Sequence, residues 1–573
     1  MLTSLLALAL LVPAPLAARA DQRDLIFEAM KAELDRSQQE LKLAEHKAPY
    51  YIGYRLVDQE MVVVEARFGA VVVDEASHKR EAAVDVRVGD YRFDSAPDAS
   101  DISGLFDDMQ GFRPAREAPV DDDPVALRTT LWLLTDQSYK EALSSYLRKQ
   151  ADKVSHVEDK QVDSFSREAA VQHADPPTLL LADPEAWRGM ARRLSARFRT
   201  KGNLLDGTVR MSAERVRTYL LTTEGTRLLK EHLMYSVAFD VTRQAADGML
   251  LAQGETLYGS APDRLPDEAA LDAMITQSLA NLEALAAAPV ADPYTGPAIL
   301  EPEATGVFFH ETLGHRLEGE RQNDENEGRT FKGSLGQPII PEFFSVRDDP
   351  SLTAFQGTPL NGYYRYDDQG VAARNVILVD KGVLKTFLTS RTPIEDVNGS
   401  NGHGRAQGVH TPMARMGNLL VESTRRVPRT QLKALLLDEV RARKKPYGLI
   451  IRDITGGSTN TSNYGYQAFK GTPRMVYRVD AVTGAETLVR GVEMVGTPLT
   501  VISKIINASE EMGVFNGYCG AESGYVPVSA IAPATLFSEI ELQRTQKEKE
   551  RGPLLAPPWA AAKVQQAPAV QPR

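Results

Sequence analysis

A chain of 573 residues is longer than one hydrophobic core organises, so two large domains are expected. Hydrophobic residues at 43% and charged residues at 25% are ordinary for a soluble globular protein. A net charge of −11 supplies no basic face for a sequence-independent grip on nucleic acid, and that class of function is set aside.

Residues 2–20 are apolar and end in Ala18-Arg19-Ala20, followed by polar Asp21-Gln22-Arg23-Asp24, the pattern of a secretory signal peptide over residues 1–20. Pro13 and Pro15 interrupt a stretch already short for a membrane anchor. An exported protein, periplasmic or secreted, is expected, with no stable membrane span once the signal is removed. Residues 21–47 carry helical spacing and residues 50–93 alternate as strands. Residues 94–123 read as a loop. Asp123-Pro124 then opens a helix to about 154, with Asp123 as cap; the rival for Asp121-Asp122-Asp123 is a calcium loop. A helix near 184–198, strands near 207–260 and a helix over 266–287 follow. The linker at 286–297, punctuated by proline and glycine, is the best domain boundary. Beyond it lie short β-type runs at 376–379, 419–421 and 448–451, interrupted by a helix over 428–443. The expected architecture is α+β: an N-terminal mixed sheet-and-helix domain over 21–285, a β-rich domain over 298–545, and a disordered tail over 546–573.

The chemistry sits in Phe308-Phe309-His310-Glu311-Thr312-Leu313-Gly314-His315, an H-E-x-x-x-H motif. Histidines four apart on a helix face one ion, separated by only about 40°. Five apart, they are turned about 140° from each other, so a regular helix cannot chelate with this pair. Gly314 tolerates a distorted turn, and the helix is expected to bulge or end there. Glu311, beside the first histidine, stands where a general base belongs. The single cysteine, Cys519, is a buried filler, an intermolecular link or a metal ligand.

Four blocks in order resemble the TldD/PmbA family of metallopeptidases. They are the motif with Glu318-Gly319-Glu320 behind it; Asp367-Asp368-Gln369-Gly370 with the run 376–384; Gly402-His403-Gly404-Arg405 with 412–418; and Asn516-Gly517-Tyr518-Cys519-Gly520 with Val526-Pro527-Val528. The resemblance covers residues 300–530 and implies zinc held by His310, His315 and Cys519, with Glu311 as general base. It also implies two domains, a closed homodimer or a heterodimer with a paralogue, and cleavage of short or unfolded peptides in an enclosed site. The chain departs from the family in reading as exported, and in the bulk of Ala521-Glu522-Ser523-Gly524-Tyr525 after the cysteine. Two imidazoles and a thiolate are an accepted zinc set.

The expected function is a zinc-dependent metallopeptidase acting through a metal-activated water; the alternatives are hydrolysis of a small amide or ester, and a metal-dependent envelope scaffold with little hydrolysis. His403 or Arg405 would polarise the scissile carbonyl or hold a peptide end, against the reading of a flexible turn. Glu301, Glu303, Glu318, Glu320 and Asp324 read as helix-flanking charge, with an alternative third ligand among them as the rival. Tyr464 and Tyr466 read as packing residues, with an oxyanion role as the rival.

Overall fold

Alternating apolar residues in the first half and β-type runs in the second build two large β-sheets, with two further two-stranded ribbons among the described residues. The computed structural model describes residues 16–96, 116–155, 162–200, 204–324, 326–462, 468–545, 551–555 and 558. Most of the expected signal peptide, most of the 94–123 loop, Tyr464, Tyr466 and most of the expected tail lie outside the described residues.

Among the described residues the first sheet has seven strands, ordered Glu117–Ala118, Ala70–Val88, Pro49–Arg67, Leu204–Thr222, Arg227–Gln244 and Gln172–Ala174, with Leu250–Gly259 also on Arg227–Gln244. All pair antiparallel except Gln172–Ala174. Side chains two apart share a face, so Ile52, Tyr54 and Leu56 project to the same side as Val64 and Ala66. Helices α1 (Leu16–Glu40) and α2 (Pro124–Ser155) pack on the first group, and α3 (Pro184–Ala196) and α4 (Glu268–Ala287) on the second. Their starts follow local chemistry: the carboxylates of Asp123, Asp183 and Asp267 accept from the amides of Ala126, Ala186 and Ala270. Asp122 pairs with Arg80 at 2.9 Å, so two of the three acids in the suspected calcium loop already have partners.

Among the described residues the second sheet has twelve strands, and it closes on itself. Tyr294–Leu300 pairs with both Tyr447–Thr459 and Gly524–Arg544, and Phe469–Asp480 and Val492–Gly496 complete the circuit. The chain then enters helix α5 (Pro302–Thr312), whose residues from Ala304 to Thr312 are all buried. A helix apolar on nearly every side must be enclosed, and here Phe308 meets Phe469 and Phe537 edge-on at 5.4 and 5.2 Å. Helices α6 (Arg429–Ala442) and α7 (Pro498–Ile502) complete the described helices. The architecture is mixed α+β. Among the described residues no helix is long and apolar enough to cross a membrane.

Charged contacts join the two sheets' surroundings. Arg391 binds Glu224 through both terminal nitrogens, at 2.7 and 2.8 Å, and Lys230 pairs with Asp368. The Asp367-Asp368-Gln369-Gly370 block is therefore a seam between the halves of the molecule.

Candidate metal centre

The five-residue histidine spacing finds its answer in how α5 ends. The α-helix stops at Thr312, Leu313 caps it, and Gly314–Leu317 continues as a tighter 3₁₀ turn. Arg316 folds back to donate to the carbonyls of Glu311 and Thr312 at 3.0 and 3.3 Å, satisfying acceptors that a helix end leaves open. The tightened turn swings the rings of His310 and His315 to 5.0 Å between centroids, at 86° to each other. Gly314 is needed for space and takes no left-handed φ: a Cβ there would stand 2.1 Å from the sulfur of Met416.

The third residue arrives on a hairpin, Ile505–Ala521 against Gly524–Arg544, with Cys519 opposite Val526. Its Sγ lies 3.4 Å from His315 Nε2, and donor atoms of His310, His315 and Cys519 all fall within 4.8 Å of one another. All three residues are buried. His315 Nδ1 bonds Glu318 Oε2 at 3.1 Å, which leaves Nε2 as the lone-pair nitrogen facing the sulfur. His310 Nδ1 is buried without a hydrogen-bond partner. Two nitrogens and a sulfur converging on one point, with an orphaned imidazole nitrogen beside them, fit a zinc ion.

The electrostatics agree. Burial pushes the Cys519 thiol up, but the imidazoles of His315 and His310 outweigh it and hold it well below its ordinary value. Burial pulls both imidazoles down, and the adjacent thiolate reverses that, most strongly at His315, where Glu318 adds to it. The pocket thus stabilises a thiolate against positive charge, the condition a divalent cation meets.

Glu311 lies beside the triad in a cleft of about 370 Å³ that also exposes Gly457, Tyr518, Glu522 and Tyr525. A Cβ at Gly457 would stand 2.5 Å from Glu311 Cγ, so the bare backbone of Tyr447–Thr459 sets where this carboxylate rests. The bulky residues after Cys519 form one wall of the cleft.

Other expectations are corrected. Glu318 is buried and Glu320 half-buried, so neither is helix-flanking charge, because the helix has already ended within the closed sheet. Burial would raise the Glu318 carboxyl, but His315, Arg321 and Arg415 hold it far below the usual carboxylate range. Glu320 accepts from Ser390 Oγ and the Ala414 amide. Glu301 pairs with Arg429. His403 has no exposed surface, bonds Asp348 Oδ1 at 3.2 Å and stands outside the cleft lining; Arg405 lies over the Tyr364 ring and donates to the Met416 carbonyl. Neither is placed to touch a peptide. Arg321, Arg415 and Gly457 escaped sequence reasoning; an arginine among apolar neighbours in Ala414-Arg415-Met416 and the paired Gly456-Gly457 are the signals that mark them.

A family model described as the PmbA/TldA metallopeptidase C-terminal domain matches residues 293–544. A zinc metalloprotease TldD homolog from Saccharolobus solfataricus is 28% identical over 271 residues, 45% of this chain and 55% of that protein. Over residues 293–544 the chain is similar to the metallopeptidase domain of the TldD/PmbA family. A metalloprotease from Archaeoglobus fulgidus is 31% identical over 239 residues, covering 42% of this chain and 51% of that protein. The chain spans about half the length of the curated relatives it matches. TldE from Thermococcus kodakarensis has a similar fold, with a TM-score of 0.57 at 14% identity over 90% of this chain and 100% of that one. The TldD/PmbA match is strongest in the second half, where the closed sheet and the triad lie.

Proposed function

We propose that this chain is a zinc-dependent metallopeptidase that hydrolyses short or unfolded peptides, with His310, His315 and Cys519 as metal ligands and Glu311 as general base. The observation that carries the reading is the convergence of three buried donors within 4.8 Å, at a cleft that Glu311 also lines. The relatives named metalloproteases support it.

A zinc ion held there would act as a Lewis acid toward the scissile carbonyl and lower the pKa of a water. The chain's own residues do the rest. Glu318 keeps the Nδ1 proton of His315 in place, so that Nε2 presents its lone pair to the metal. The Glu311 carboxylate takes a proton from the attacking water and returns it to the leaving amine nitrogen. Gly457 allows Glu311 to lie flat against the strand beside α5. Tyr518 and Tyr525 offer aromatic faces on the cleft wall to the side chains flanking the scissile bond.

Export to the periplasm or medium is part of the proposal, supported by the apolar run ending at Ala18-Arg19-Ala20. So is assembly as a homodimer or with a diverged paralogue, supported by the likeness in fold to a protein named TldE. Metal analysis of the wild type beside Cys519→Ser, joined to digestion of an unfolded polypeptide, tests the core claim. Wild type is expected to hold stoichiometric zinc and digest the polypeptide, and the variant to lose both. A serine variant that keeps its zinc and its activity removes the cysteine from the site.

A further inference from the structure

The hairpin that carries Cys519 and the turn that carries His315 are 204 residues apart in sequence, and one side chain reaches both. Arg415 has no exposed surface. Its Nη2 donates to the carbonyl of Cys519 at 2.6 Å, and its Nη1 to the carbonyl of Gly524 at 3.0 Å and to Ser523 Oγ at 2.8 Å. On the other side its Nε forms an ion pair, 3.4 Å long, with Glu318 Oε1. The second oxygen of that carboxylate holds His315.

Charge balance does not explain why an arginine is buried here. Glu318 already has a closer cation in Arg321, at 2.8 Å, and taking a guanidinium out of water is costly. What Arg415 adds is geometry. A guanidinium is planar, keeps its charge and presents its donors in a fixed fork. Lysine, with one nitrogen on a flexible stem, cannot span the same acceptors. The segment behind Arg415 is itself braced: its amide donates to the His403 carbonyl at 3.0 Å, the Met416 sulfur fills the space left by Gly314, and the amides of Gly417 and Asn418 bond Asp348. His403, bonded to the same Asp348, belongs to this brace.

We infer that Arg415 is a positioning residue for the metal site: its fork ties the backbone of Cys519 to the carboxylate that orients His315, fixing sulfur and imidazole at a ligand-ready separation before metal arrives. The inference rests on the metal site proposed above. Replacing a residue that orients metal ligands lowers metal affinity by about 10- to 100-fold.

The test uses the full chain as wild type, Arg415→Lys and Ser523→Ala. It measures zinc affinity by chelator competition, the thiolate-to-cobalt charge-transfer band after cobalt substitution, and thermal unfolding of the metal-free proteins. Arg415→Lys is expected to lose about 10- to 100-fold in zinc affinity with a weakened or shifted charge-transfer band, and its metal-free form to unfold somewhat below wild type, because buried carbonyls lose a donor. Ser523→Ala, which removes one contact of the fork, is expected to lose less. Wild-type affinity and an unchanged cobalt spectrum in Arg415→Lys overturn the inference; if that variant does not fold, the same result in Ser523→Ala does so. A wild type with no zinc and no thiolate band fails the metal site and this inference together, whereas a wild type with both and indifferent variants fails the inference alone.

Discussion

Among the described residues two clusters gather histidine and acidic or thiol groups within 4.8 Å: His310, His315 and Cys519 in the closed sheet, and Asp58, Glu60 and His78 on the first sheet. Only their surroundings separate them. Asp58 stands directly across from Arg80 and Arg217 on the neighbouring strands, and Glu60 across from His78 and Arg215. Asp58 accepts from Arg80 at 2.8 Å and from Arg217 at 2.8 Å, and these arginines overcome its burial to hold its carboxyl low. The positive charge that cluster needs is already built into the strands as cross-strand pairs. It fills the gap between the core under α1 and α2 and the core under α3 and α4. At the other cluster the arginines attach to Glu318 and to backbone, and among the described residues no guanidinium hydrogen-bonds His310 Nδ1 or the sulfur. A set of donors that lacks its counter-charge invites a cation; a set that has one is structural.

The sharpest way to break that contrast is through Glu311. Glu311→Gln keeps the side chain's shape and leaves all three donors in place, so zinc content is expected to stay at the wild-type level. Hydrolysis of an unfolded polypeptide is expected to fall by about 10²- to 10⁴-fold, the range for loss of a general base. Zinc content and turnover measured on one preparation check it, and a Gln variant of full activity takes Glu311 out of the chemistry.

Asp58→Asn probes the other cluster. Removing the buried carboxylate leaves Arg80 with Asp122 alone and Arg217 with Glu60 alone as counter-charge, at a cost of at most about 3–5 kcal/mol. Unfolding monitored by denaturant should show that loss, while zinc content remains as in wild type. Loss of zinc with an unchanged midpoint would reverse the assignment of the two clusters.

How much of this was legible in the sequence follows from the range of the interactions involved. Helix starts at Asp123, Asp183 and Asp267 depend on residues three apart, and local pattern finds them. The break in the helix after Thr312 was legible too, because five-residue spacing and regular helical geometry are incompatible. The closure of the second sheet was not. It depends on Tyr294–Leu300 meeting Gly524–Arg544 across more than two hundred residues, and no local period encodes that pairing. Glu318 and Glu320 looked like surface charge for the same reason, since it is the enclosing sheet that buries the first and half-buries the second. His403 looked like a loop residue among glycines, but its ring is locked between Asn401 and Asp348 in the interior.

Glu320 sharpens the comparison from a third direction, as a half-buried residue whose carboxylate is met by a hydroxyl and an amide and, among the described residues, by no ion pair. Burial pushes its pKa from 4.5 up to about 7, against the opposing hydrogen bonds from Ser390 and the Ala414 amide. The sign follows from proton counting. Between pH 4.5 and 7 the unfolded chain has released this proton and the folded chain still holds it, so stability falls as pH rises through that window. The deficit is absent below pH 4.5 and complete above 7, where it reaches at most about 3 kcal/mol. Glutamine keeps the shape, accepts from the Ala414 amide and cannot ionise. Glu320→Gln is therefore expected to match wild type near pH 4.5 and to unfold a few degrees higher at pH 8. The two unfolding temperatures should diverge steadily between those values. A difference that stays constant across the range would mean that the carboxyl is ionised throughout, and that Arg321, already engaged by Glu318, serves Glu320 as well.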